Sequence, residues 1–275
     1  MQKAVFGEAK NCFFCFLYKI IHTFDIINHK KQTMASTSET GHAKNIANFQ
    51  DLISFCQGYG VTYNPTKESL KISELQIVYQ TSSDRLNDVK INKTAFDNST
   101  NERRNAFENL KPLATKIINA FTVSGADKLA VDDAKSINKK LQGTRATPQV
   151  GTTTDPNISA STISTSQQSY DRQIDHLANL IQVLEQNPIY NPNEIELKVT
   201  SLQTKLADLQ TKNTNLINSY TQYSNAMINR NQTLYNPLSG LLQTAKEVKL
   251  YVKSIFGATS PQFKQVSGLE FTKPR

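Results

Sequence analysis

Between residues 41 and 57 the apolar side chains Ile46, Phe49, Ile53 and Cys56 recur three and four positions apart. That spacing places them on one face of an α-helix. The same interval returns at Ile174, Leu177, Ile181 and Leu184, which predicts a second helix over 167–186. Gly58 and Gly60 end the first of these helices and Asn187-Pro188 the second. Two longer stretches follow. One carries Ile72, Leu75, Tyr79, Val89, Phe96, Arg103 and Phe107 at heptad-like positions; the other carries Val199, Leu202, Leu206, Leu216, Tyr223, Arg230 and Leu234. Each predicts one long helix, from Asn64-Pro65 to about 109 and from Asn191-Pro192 to about 235. Asparagine suits an N-cap, and proline suits the first helical position, where its missing N–H costs nothing. Glu194 would complete a capping box in the second helix. At 1.5 Å per residue each helix would run roughly 65 Å, too long to be stable without packing along its seam.

A third helix is predicted after each long one. The first starts near Pro112 with Leu113, Ile117, Ala120 and Phe121, breaks at Ser124-Gly125, and is followed by another with Ala130, Ala134, Ile137 and Leu141 that stops at Gly143. The second starts near Leu238, behind Asn236-Pro237, and carries Leu238, Leu241, Ala245, Val248, Val252 and Ile255 up to Gly257. Ser260-Pro261 caps at most a short final helix.

The order of these elements repeats. Tyr63-Asn64-Pro65 recurs as Tyr190-Asn191-Pro192, and at that offset of 127 eleven of the 47 positions from 63 to 109 are identical. The heptad positions coincide as well, which predicts a tandem duplication. The expected fold is therefore all-α, an elongated up-down, coiled-coil-like bundle of two three-helix modules, 34–143 and 167–275. Residues 144–166, rich in Ser and Thr with Gly151, Pro148 and Pro156, read as a flexible linker.

Residues 1–33 fit neither module. Their apolar part, Cys12 to Leu17, is short, and Glu8 sits where an export signal needs basic residues. Met34-Ala35-Ser36 reads as an ordinary start, so Met34 is the expected initiator; the alternative is an atypical export signal or anchor. The leader also distorts the charge. Of the net +8, +3 lies within it, and from Met34 onward 26 basic and 21 acidic residues leave +5. Spread evenly over the two halves, that charge argues against a dedicated nucleic-acid surface.

Chemistry-bearing motifs are few. Cys12-Phe-Phe-Cys15 has no second ligand pair, so a metal or redox role is not expected. Cys56 reads as a core thiol in a reducing cytoplasm. His42 and His176 lie on helical faces without paired ligands, and Asp132-Asp133 reads as a helix start. No phosphate loop, nucleophile elbow or zinc-protease motif is present, and no catalytic residue, cofactor or metal is expected.

The residues that stand out are interaction or register candidates. Arg103 and Arg230 occupy equivalent core positions, with their stems on the seam and their heads toward a carboxylate or solvent. Asn213, like Lys93, reads as a register-setting or snorkelling residue. Tyr220, Tyr223, Tyr79 and Phe96 form an aromatic-containing seam, while Lys246, Lys249 and Lys253 form a basic stripe read as a solvated face.

The repeated Asn-Pro step before a long helix, together with the tail Phe256-Gly-Ala-Thr-Ser-Pro-Gln-Phe-Lys-Gln-Val-Ser-Gly-Leu269, resembles tandem helical-bundle proteins of Bacteroidetes-type bacteria. The resemblance covers residues 34–275 and implies a fold; it brings no activity with it. The expected function is that of a non-enzymatic, cytoplasmic interaction or scaffolding protein, binding itself or a protein partner through heptad faces. A membrane-active helical protein and a nucleic-acid-associated bundle are the alternatives. Liposome leakage and strongly salt-dependent DNA binding, respectively, would mark them.

Overall fold

In the computed structural model, residues 37–143 and 168–273 are described, and every regular element among them is helical. The expected leader, residues 1–33 with Cys12 and Cys15, and the expected linker, residues 144–166, lie outside the described residues. The helices are α1 (Thr37–Gly58), α2 (Ile72–Glu108), α3 (Leu110–Val123), α4 (Lys128–Gln142), α5 (Tyr170–Glu185), α6 (Val199–Tyr235), α7 (Leu241–Phe256) and α8 (Pro261–Ser267). They fall into two compact units, one formed by the chain up to Ile72 with Ala245 onward, the other by Ser73–Thr244. The modules expected at 34–143 and 167–275 each contribute to both units.

The long helices are each 37 residues, about 55 Å at 1.5 Å per residue. They begin at Ile72 and Val199, seven residues beyond the prolines that the sequence suggested would open them. Asn64-Pro65 and Asn191-Pro192 instead lead into short 3₁₀ turns at Glu68–Leu70 and Ile195–Leu197. No capping box forms at Glu194, whose side chain makes no cap bond.

What the Tyr-Asn-Pro motif does is lock these loops. The Tyr63 hydroxyl donates to the Leu70 carbonyl at 2.8 Å, and Tyr190 donates to the Leu197 carbonyl at the same 2.8 Å. Both tyrosines and both leucines are buried. Each ring also meets a second aromatic edge to face: Tyr63 against Tyr251 at 5.3 Å and Tyr190 against Phe121 at 5.7 Å.

Removing either hydroxyl leaves a buried carbonyl without its donor. Tyr190→Phe is therefore expected to lower stability by about 1–2 kcal/mol. Tyr63→Phe should cost somewhat more, because Tyr63 is also hydrogen-bonded to the Cys56 thiol. Paired thermal melts of the two variants check both the loss and its order; melts identical to the parent's would contradict the lock.

In the Ser73–Thr244 unit, α2 and α6 pair antiparallel. Arg103 meets Asn213, Phe96 meets Tyr220 and Tyr223, and Val89 clusters with Tyr223 and Ala226, so one helix ascends as the other descends. At one end of this pair α3, α4 and α5 join Phe107 of α2 and Leu202 and Leu209 of α6 around a core that includes Leu110, Ile117, Phe121, Leu141, Leu177 and Leu184. Helix α4 is capped by Asp127, whose carboxylate accepts from Leu129 N at 2.9 Å. Asp132 and Asp133, expected at the helix start, thus lie inside it, one turn past its first residue Lys128. It ends at Gly143, whose φ of +78° suits glycine, and the Gln168 amide donates to the Lys140 carbonyl there at 2.8 Å.

The junctions after the long helices differ. Between α2 and α3 only Asn109 intervenes, and Pro112 sits in the first turn of α3, where it leaves no bond broken. Between α6 and α7 residues 236–240 form a turn, with Asn236 Oδ1 accepting from Leu238 N at 2.9 Å and from Ser239 N at 3.2 Å. Leu238 is therefore not the first residue of the α7 stripe; it is 85% exposed, and the buried stripe starts at Leu241.

The other unit contains α1, the Tyr63 loop, α7 from Ala245 and α8. Phe49, Leu52 and Cys56 of α1 and Ala245, Val248 and Val252 of α7 are buried, as is Val266 of α8. Burial pushes the Cys56 thiol up to about 12, which leaves it un-ionised and unreactive near neutral pH.

Candidate functional site

The sequence singled out Arg103 and Asn213 separately; the structure brings them together. Arg103 Nη1 donates to Asn213 Oδ1 at 3.0 Å, and Asn213 Nδ2 donates in turn to Asp171 Oδ1 at 2.7 Å. The guanidinium lies 4.0 Å from the centroid of the Tyr170 ring, which also packs edge to face on Phe107 at 4.7 Å. The amide thus relays between a cation on α2 and a carboxylate at the first turn of α5. Beside it, Lys212 pairs with Glu102 at 3.0 Å. Burial lowers the pKa of Arg103, with Tyr170 and Asp171 opposing that shift. Its Nε is buried without a hydrogen-bond partner among the described residues.

Neither Tyr170 nor Asp171 was legible as a site residue. They open α5 behind the Ser169 cap, where an acidic residue serves the helix dipole whatever lies opposite. The antiparallel pairing of α2 with α6, together with the packing of α5 on α6, puts Asn213 within reach of Arg103 and Asp171.

Arg230, the counterpart of Arg103, is 3% exposed. Its guanidinium donates to the side chain of its neighbour Asn231 at 2.9 Å from Nη2 and 3.2 Å from Nε. At the offset of 127 residues Asn213 corresponds to Leu86, so no amide stands at that position of α2.

The lysines of α7 depart from the solvated stripe read in the sequence. Lys246 is exposed, but Lys249 donates to the backbone carbonyls of Leu269 and Ser267 and lies 5.2 Å from the Phe271 ring centroid. Burial lowers its pKa, opposed by Glu270. Lys253 sits 5.7 Å over the Phe263 ring. Two of the three lysines therefore hold the tail that follows α7, because a side chain four carbons long reaches a segment folded back beside its own helix.

Phe96 stacks on Tyr223 at 6.0 Å and meets Tyr220 at 5.5 Å, but Tyr220 remains 53% exposed. Lys93 pairs with Asp97 one turn on, at 2.5 Å. His42 and His176 are buried, and desolvation, reinforced by Lys140, lowers the pKa of His176. Among the described residues no group of three or more His, Cys, Asp or Glu side chains is placed to hold a metal ion. No helix among them is long and apolar enough to cross a membrane.

Large apolar side chains do reach the surface of the paired long helices. Ile77 and Ile91 on α2 are 57% and 59% exposed; Ile217 and Ile228 on α6 are 56% and 58% exposed. An open groove of about 450 Å³ runs between these helices, lined by Ile77, Val78, Thr81 and Arg85 on one side and Asn229, Gln232 and Thr233 on the other. The chain matches no protein-family model, and no curated protein or solved structure is significantly similar to it.

Proposed function

We propose that this is a non-enzymatic helical interaction or scaffolding protein that binds a partner helix or a second copy of itself through α2 and α6. The carrying observation is the exposed apolar stripe. Ile77 and Ile91 are two heptads apart, and Ile217, Tyr220 and Ile228 are spaced by three and eight, so each set lies along one face of its helix. Covering such a side chain stabilises a complex by about 1.5–3 kcal/mol before the costs of association. Stripes of this kind on a helical surface are what partner helices bury.

The same reading includes a tandem duplication and an up-down bundle with heptad-like seams. Two 37-residue helices, each preceded by a 3₁₀ turn and a tyrosine-locked loop, support it. So do matched burials, Leu75 with Leu202 and Phe107 with Leu234. A cytoplasmic setting belongs to the proposal and accords with Cys56 as a buried thiol.

The test is Ile91→Lys combined with Ile217→Lys in the full chain. Sedimentation of the purified protein, and recovery of cross-linked partners from cells, should show an association in the parent that the double variant loses while keeping its helix content. Retention of every association by the double variant would overturn the proposal.

A further inference from the structure

The segment after α8 is bound by side chains that read only its backbone. Asn45, 1% exposed on α1, donates from Nδ2 to the Thr272 carbonyl at 2.6 Å and accepts from the Thr272 N–H at 3.0 Å. One turn on, Asn48 donates to the Glu270 carbonyl at 2.7 Å. From α7, Lys249 donates to the Leu269 carbonyl and covers the Phe271 ring. Residues 270–273 adopt neither helix nor strand, and they run along α1 as an extended ligand would.

Two-point recognition of one residue's N–H and C=O is how a sheet edge accepts an added strand. Here a buried asparagine amide supplies it. Emptying the face would uncover Asn45 and exchange its two bonds to Thr272 for bonds to water, at a small net cost for each hydrogen bond. The face is therefore best satisfied when an extended backbone lies on it. Its specificity beyond the backbone rests on an aromatic residue over Lys249 and an acidic one near Lys44, which lies 3.8 Å from Glu270.

We infer that this α1–α7 face is a receptor groove for an extended peptide, filled here by the chain's own residues 268–273, and that the same segment of a second copy can take that place. The segment itself is the argument for the occupant, since its backbone register and its Phe271 already fit. Exchange between copies would join chains without using the apolar stripes of α2 and α6, so the inference stands apart from the function proposed above.

The experiment uses a fluorescein-labelled synthetic peptide of residues 266–275 and the full chain. Thr272→Pro removes the N–H that Asn45 accepts from and so weakens the chain's own tail without altering the groove. A tethered segment competes at a local concentration in the millimolar range. Thr272→Pro protein should therefore bind the wild-type peptide at least about tenfold more tightly than the parent does. A peptide carrying the same Thr272→Pro change should not bind, and adding Asn45→Asp to the protein should abolish the gain. The altered peptide needs no variant beyond Thr272→Pro, so the test survives misfolding of the Asn45 variant. Equal binding by parent and Thr272→Pro protein, or equal binding of the two peptides, would overturn the inference.

Discussion

Replacing Asn213 by leucine is expected to destabilise the protein by about 1–2 kcal/mol, chiefly because the half-buried Arg103 loses its acceptor, while the exposed Asp171 exchanges its donor for water. Arg103 loses its acceptor at 3.0 Å and Asp171 its donor at 2.7 Å. Leucine is close in volume, so the loss measures hydrogen bonds and not a cavity. Leucine also stands 127 residues earlier in the chain, on α2, as Leu86, and is buried there. The cost thus arises from the charges facing residue 213 and not from leucine in such a helix.

A double-mutant cycle separates the two. Arg103→Met keeps contact with the Tyr170 ring through a flexible apolar chain and removes the cation. Combined with Asn213→Leu, it should recover a large part of the loss, since an apolar pair in place of a half-buried polar one is commonly neutral. Chemical denaturation of the two single variants and the double variant gives the coupling. Strict additivity would mean that Arg103 and Asn213 do not act as a pair.

Gly240→Ala is expected to cost about 2 kcal/mol, for a steric reason. A Cβ there would lie 2.5 Å from Asn236 N, 2.7 Å from Asn236 O and 3.0 Å from Leu234 O. These are backbone atoms, and they cannot move independently. Asn236 N donates to Gln232 O at the end of α6, and Asn236 O accepts from Gly240 N, while Gly240 O accepts from Thr244 N at the start of α7. Relieving the clash therefore strains the end of one helix or the start of the next. In a chain of this size such a loss lowers the melting temperature by roughly 4–8 °C. Gly58→Ala is the control, since a Cβ there meets nothing within 4 Å, and it should leave the melt nearly unchanged. Equal melts for the two variants would show that the turn at 236–240 yields more easily than its contacts imply.

Helix content, approximate lengths and core faces were legible in the chain because they follow from local spacing. Phe49, Leu177, Leu202 and Val252 lie on the faces assigned to them, and all are buried. Ser260-Pro261 announces α8, whose Ser260 Oγ accepts from Phe263 N at 3.1 Å. The errors fall where a local signal has two uses. An Asn-Pro step can open a helix or make an extended entry to a 3₁₀ turn. The choice at residues 64 and 191 was made by a tyrosine hydroxyl bonding seven residues ahead.

Of the candidate site, the sequence determined which residues are out of place: a cation at residue 103 and an amide at residue 213, each on a face otherwise apolar. Only the tertiary structure decided that they are partners. Their meeting depends on α2 and α6 running antiparallel in one register, which no interval along either helix encodes. The lysines of α7 show the same limit. Their positions on the helix were fixed by the spacing of Val248 and Val252, but the carbonyls that Lys249 holds lie 18 and 20 residues on, in a segment with no periodicity of its own. Local periodicity chooses a face; what that face meets is settled by chain reversals, where a few hydrogen bonds and one missing Cβ outweigh any preference of the residues in between.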